Sequence, residues 1–124
     1  MTARDINQLL DDKITVDNFK LSIGDEFENY ARLMKTNGSI IDLQFEEDEI
    51  IHLDKFKFKK LLDLVIDGRL SNIHLAYICD CLTLAEDSIV DEKTNELIFE
   101  IADSKINGGY KSNTELRELI LKLD

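Results

Sequence analysis

Through most of the chain apolar positions recur at steps of three and four, the spacing that gathers side chains on one face of a helix. Residues 5 to 10 read as a short helix closed by Asp11-Asp12. A longer helix then runs from a cap at Thr15, with Val16, Phe19, Ile23, Phe27, Tyr30, Ala31 and Met34 on one face, to a stop at Asn37-Gly38. Gly24 lies inside it at a cost of about 1 kcal/mol relative to Ala, which predicts a kink or a close helix contact there.

The period changes at Ser39 to Phe45, where Ile41, Leu43 and Phe45 alternate with Asp42 and Gln44 as in a half-buried strand. Glu49 to Leu53 supplies a second short strand, and Glu46-Glu47-Asp48 stands where a hairpin tip would be. That tip lacks the Asn-Gly or Asp-Gly pair typical of tight hairpins. The alternative is a single irregular connection over 40–52 in an all-helical chain.

From Asp54 the helical pattern returns through Phe56, Leu61, Leu62, Leu64 and Val65 and stops at Asp67-Gly68. Ser71 caps a strongly apolar helix carrying Ile73, Leu75, Ala76, Ile78, Cys79, Leu82 and Leu84, the expected centre of the core. Asp91 caps another, with Leu97, Ile98, Ile101 and Ala102 inward. After the turn at Asn107-Gly108-Gly109, Ser112 and Glu115 form a capping box that opens a last helix bearing Leu116, Leu119, Ile120 and Leu123. Ile14 with Phe19, and Leu70 with Leu75, flank their caps as hydrophobic staples. Such short connections predict a single domain over 1–124, mainly α: a compact bundle of five to six helices with one small β-hairpin at about 39–53.

Composition narrows the class. With 124 residues, 44% of them apolar and 33% charged, the chain has material for one globular core and is neither a disordered tail nor a membrane protein. Met1 to Asp5 lead directly into an amphipathic segment without a signal-peptide pattern, so a cytoplasmic location is expected. Cys79 and Cys81 point about 200° apart on a helix and cannot pair there. They read as small buried thiols in a reducing compartment.

Catalytic signatures are weak. Neither His52 nor His74 has a nucleophile and an orienting carboxylate nearby in sequence. Glu49-Ile50-Ile51-His52 has the Glu-x-x-His spacing of di-iron bundles, but only one copy, and on a segment read as a strand. Asp87 to Glu96 fails as a calcium loop because Glu92 stands where a Gly is needed and Ile98 where a Glu is needed. The expectation is a non-enzyme without metal or cofactor.

What stands out is charge. The 26 acids and 15 bases give minus eleven, which argues against nucleic acid as a ligand. Residues 71–103 alone hold eight acids (Asp80, Glu86, Asp87, Asp91, Glu92, Glu96, Glu100 and Asp103) against Lys93. Glu92, Glu96, Glu100 and Asp103 fall at helical steps and form one acidic stripe. Like charges four apart cost about 0.2 to 0.5 kcal/mol per pair, and acids at a helix C-terminus cost roughly 0.3 to 1 kcal/mol each. Either the stripe is a solvated face kept for solubility, or it is aimed at a cationic partner.

The segments Ile6-Asn7-Gln8-Leu9-Leu10 and Lys13-Ile14-Thr15-Val16-Asp17-Asn18-Phe19 resemble the start of helical immunity proteins that neutralise bacterial tRNase colicins and contact-dependent growth-inhibition toxins. Ile98-Phe99-Glu100-Ile101-Ala102-Asp103, followed by Ile106-Asn107-Gly108, is similar to the tail of small bacterial proteins found near such toxins. The strand pair at 39–53 departs from the purely helical pattern of that family. The resemblance implies a stoichiometric inhibitor of a cognate toxin domain, a basic nuclease for which carboxylates take the place of phosphates. The eight acids of 71–103 would be its interface, with Tyr77 or Tyr110 as anchors. A helical adaptor or regulatory subunit of another complex is the alternative.

Overall fold

The computed structural model describes residues 1–36, 43–104 and 108–123. Seven helices and two short strands lie among them: α1 (Ala3–Leu10), α2 (Val16–Ser22), α3 (Gly24–Met34), β1 (His52–Leu53), α4 (Lys55–Ile66), α5 (Asn72–Leu82), β2 (Ile89–Val90), α6 (Glu92–Ile101) and α7 (Asn113–Leu123). Side-chain caps open every one of these helices but α3. Thr15, Asp54, Ser71 and Asp91 each accept the main-chain amide three residues on, and Ser112 exchanges the two capping-box bonds with Glu115. Thr2 does the same with Asp5, starting α1 two residues before the apolar pattern alone indicates.

One helix was expected over 15–37, and the chain forms two. Ile23 leaves the helical region (φ −105°, ψ 7°), its amide bonds Phe19 C=O, and Gly24 becomes the first residue of α3. A Cβ at Gly24 would meet nothing within 4 Å. The glycine therefore marks a break between two helices and not a close helix contact, which raises the helix number above the expected five to six.

Among the described residues no hairpin forms over 43–53. Residues 39–42 lie outside the described residues, and 43–53 do not fold back on themselves. Instead β1 pairs in parallel with β2, His52 opposite Ile89 and Leu53 opposite Val90, while Glu46 makes a lone parallel bridge with Thr2. The acids of the expected tip are drawn elsewhere. The Glu47 carboxylate accepts the amides of Glu86 and Asp87, Asp48 accepts the Arg4 amide, and Glu49 accepts the Asn7 side-chain amide. A turn sequence without the Asn-Gly or Asp-Gly pair of a tight hairpin loses to the use of its carboxylates as acceptors for amides on other segments. Of the predicted alternation, Leu43 and Phe45 are half-buried and Gln44 is exposed, while Ile41 and Asp42 lie outside the described residues; in the second segment Ile51 and Leu53 are buried and Ile50 and His52 exposed.

Helix α5 is the centre. Every residue from Leu75 to Leu82 is buried, and α3, α4 and α6 pack around it, while α4 also lies against α1 and α7. Phe19, Phe58, Tyr77, Leu61, Leu62 and Ile78 form the bulk of one continuous core. Leu84, expected on the inner face of that helix, lies past its end and is 50% exposed, and Phe56, at the start of α4, is 71% exposed. No helix among the described residues is long and apolar enough to cross a membrane.

Candidate interaction surface

Helix α6 begins where the Asp91 carboxylate accepts the amide and the hydroxyl of Thr94 at 3.2 and 2.7 Å. The hydroxyl bond holds this carboxyl below its ordinary pKa. Thr94, Leu97, Ile98 and Ile101 are buried, so Glu92 and Glu96 must face outward, and both are exposed. Glu100 is half-buried with the Lys122 ammonium of α7 at 3.9 Å. Asp103 is exposed just beyond the helix, at a φ of 51°.

The loop before β2 adds to this face in a way the linear charge pattern does not reveal. Glu47 clasps the amides of Glu86 and Asp87 at 2.9 and 3.0 Å, one carboxylate oxygen to each. The acidic run 46–49 therefore lies beside 86–87, and Glu46, Asp48, Glu49, Glu86 and Asp87 are all exposed. A run of four consecutive acids was the available signal, but reading it as a turn hid its role as an acceptor for a distant loop.

Asp80 does not belong to this surface. It is 7% exposed, its carboxylate accepting the Tyr30 hydroxyl at 2.6 Å and the Asp103 amide at 2.7 Å. Burial pushes its pKa up, opposed by those two bonds and reinforced by the Asp103 charge. A carboxylate on a helix buried on all sides finds no solvent, so it serves as an internal acceptor that ties the end of α6 to α3 and α5. Tyr77 is likewise no surface anchor. It is 1% exposed and packs against Tyr30 and Phe27. Tyr110 is 36% exposed.

The remaining titratable groups are structural in setting. His74 stacks on Phe27 with ring centroids 3.7 Å apart, and its Nδ1 accepts the Ser71 amide at 3.2 Å. Burial, with Lys20 adding to it, lowers its pKa to about 4, in keeping with an unprotonated acceptor nitrogen. Burial pushes the Cys81 thiol up to about 12 and the Cys79 thiol well above its ordinary value, so neither is held as a reactive thiolate. His52 is exposed on β1, Glu49 is tied to Asn7, and no three His, Cys, Asp or Glu side chains among the described residues are grouped to hold a metal ion.

Carboxylates of one sign on a folded surface act by long-range attraction and by accepting hydrogen bonds from guanidinium and ammonium groups. The outward residues of the expected interface are thus Glu86, Asp87, Asp91, Glu92, Glu96 and Asp103, with Glu100 shared with Lys122 and Asp80 withdrawn. No protein-family model matches the chain, and neither the curated proteins nor the solved structures give a match.

Proposed function

We propose that the protein is an immunity-type inhibitor that binds and neutralises a cognate bacterial toxin domain, a basic nuclease, through its acidic face. The observation that carries this reading is the joining of 46–49 to 86–87 by the Glu47 clasp, next in the chain to α6, so that exposed acids gather there and on α6 outnumber its single exposed base, Lys93. Such a face raises the association rate with a cationic cleft and penalises acidic or neutral partners. Its carboxylates stand in for substrate phosphates, so inhibition is stoichiometric and no bond is made or broken.

The test uses the basic nuclease domain that this reading expects to be encoded beside the chain. Association measured by stopped flow should fall steeply as salt rises, and reversing Glu92, Glu96 and Glu100 to Lys together should slow it at least about tenfold without unfolding the protein. Equal rates for the two proteins would overturn the choice of surface. A helical adaptor or regulatory subunit is the second reading, favoured by the exposed Phe56 on α4 and Leu121 on α7, 71% and 73% exposed. It expects binding that salt hardly changes.

A further inference from the structure

The two-stranded ladder has two outer edges, and they differ. In a parallel pair alternate residues turn their main-chain groups toward the partner strand. The Ile89 amide donates to Ile51 C=O at 2.8 Å, so Ile89 faces β1 and the amide and carbonyl of Val90 face the opposite edge. By the same alternation His52 faces outward on β1. There the Lys57 ammonium covers its carbonyl at 3.3 Å, a usual device for blunting an edge strand. On the β2 side no further strand lies along the edge among the described residues.

The side chains of β2 have a partner's chemistry written around them. The segment reads Glu86-Asp87-Ser88-Ile89-Val90-Asp91-Glu92, an apolar pair between two acidic pairs. Ile89 is 58% exposed, all four acids are exposed, and Ile50, on the same face two residues before His52, is 49% exposed. A shallow groove of about 430 Å³ lined by His52, Leu53, Lys57, Ile89 and Val90 runs beside the ladder. A second copy of the chain is a poor occupant, because it would set acid pairs against acid pairs in either strand direction, and like charges across strands destabilise.

We infer that the open edge of β2 takes an extended segment of the partner by strand addition, with β-branched residues over Ile89 and Lys or Arg at both flanks. The main-chain bonds at Val90 give affinity and the two acid pairs give selection and register. This rests on the proposed function in requiring a basic partner, and it moves the centre of the interface from the α6 stripe to the strand that precedes it.

The probe is an amidated heptapeptide with two lysines on each side of a Val-Thr-Val core, titrated into the ¹⁵N-labelled full chain. Amide shifts should concentrate on 86–92, with the Val90 amide becoming protected from exchange. The same peptide with alternate main-chain amides N-methylated keeps its charge, and it should bind at least about tenfold more weakly. Val90→Pro removes the outward donor, leaves the Ile89 bond to β1, and should weaken the parent peptide by a similar factor. Circular dichroism and the melting temperature show whether that variant is folded, and the N-methylated peptide tests the same bonds on the unaltered protein. No binding, or equal binding of both peptides, overturns the inference. Shifts confined to α6 overturn it too, while leaving the acidic face of the proposed function standing. Failure of a protein reversed only at Glu96 and Glu100, which leaves both acid pairs of the edge intact, to slow toxin association strikes that function and not this edge.

Discussion

Helices α5 and α6 are neighbours in sequence and in space and share the most acidic third of the chain, yet their carboxylates have opposite fates. The acid of α5, Asp80, is 7% exposed and holds two donors from other elements. On α6 Glu92 and Glu96 face water, and the half-buried Glu100 pairs with Lys122. The difference follows from the apolar pattern. From Leu75 to Leu82 helix α5 is buried on every side, so an acid there must be satisfied internally. Helix α6 has a single buried stripe and leaves its acids to solvent. Net charge by segment therefore says little about which carboxylates stabilise a fold and which are free to meet a partner.

The sharpest way to break this comparison is to truncate one acid on each helix. Asp80→Ala orphans the Tyr30 hydroxyl and the Asp103 amide inside the protein and should cost about 2–4 kcal/mol in urea unfolding, whereas Glu96→Ala should change stability by less than about 0.5 kcal/mol. Equal costs would mean that Asp80 is not the internal tie described above. Next in size, Tyr30→Phe removes the shorter of the two bonds to Asp80 and should cost about 1.5 kcal/mol by the same measurement.

Acidity sharpens the comparison further, because the buried Asp80 and the half-buried His74 of α5 titrate with opposite signs. The pKa of Asp80 is raised in the folded protein, so its contribution is fully present below the ordinary carboxylate value and is lost as pH rises through the folded value. Wild type should then lose ground to Asp80→Asn as pH rises from about 4 toward 7, measured by unfolding across a pH series. The pKa of His74 is depressed to about 4, so its contribution is present above about 6.5 and is lost as pH falls through the folded value. His74→Gln retains an acceptor for the Ser71 amide and should flatten that acid loss. The smallest effect belongs to α6. Glu96→Gln with Glu100→Gln relieves repulsion along the stripe and should stabilise by about 0.5 kcal/mol at low salt, fading as salt is added. A loss of stability at low salt would mean that the Lys122 pairing outweighs the repulsion.

The parts of the fold read correctly from the sequence are the local ones. Thr15, Ser71, Asp91 and Ser112 cap helices because each is followed three residues later by an amide that its oxygen reaches, and the cores of α4 to α7 follow from steps of three and four. What escaped is non-local. The segment around His52 has the alternation of a strand, but its partner is Ile89, across two intervening helices, and the two residues of β2 are too short to show a period. The site divides in the same way. Glu92 and Glu96 were legible from their offset to Leu97 and Ile98, while the joining of 46–49 to 86–87 depends on the Glu47 clasp. Asp80 was misplaced because helical spacing cannot tell an exposed face from one that another helix covers.

The parallel pairing of β1 with β2 also bears on how the protein comes together. His52 and Ile89 are joined across α4 and α5, and closing so long a segment for a few main-chain bonds is slow compared with local helix formation. The ladder is therefore among the last parts to assemble and the first to open, and the Ile89 amide should exchange with solvent well before those at the centre of α5. A newly made chain thus completes its helical core before the edge of β2 exists to be joined.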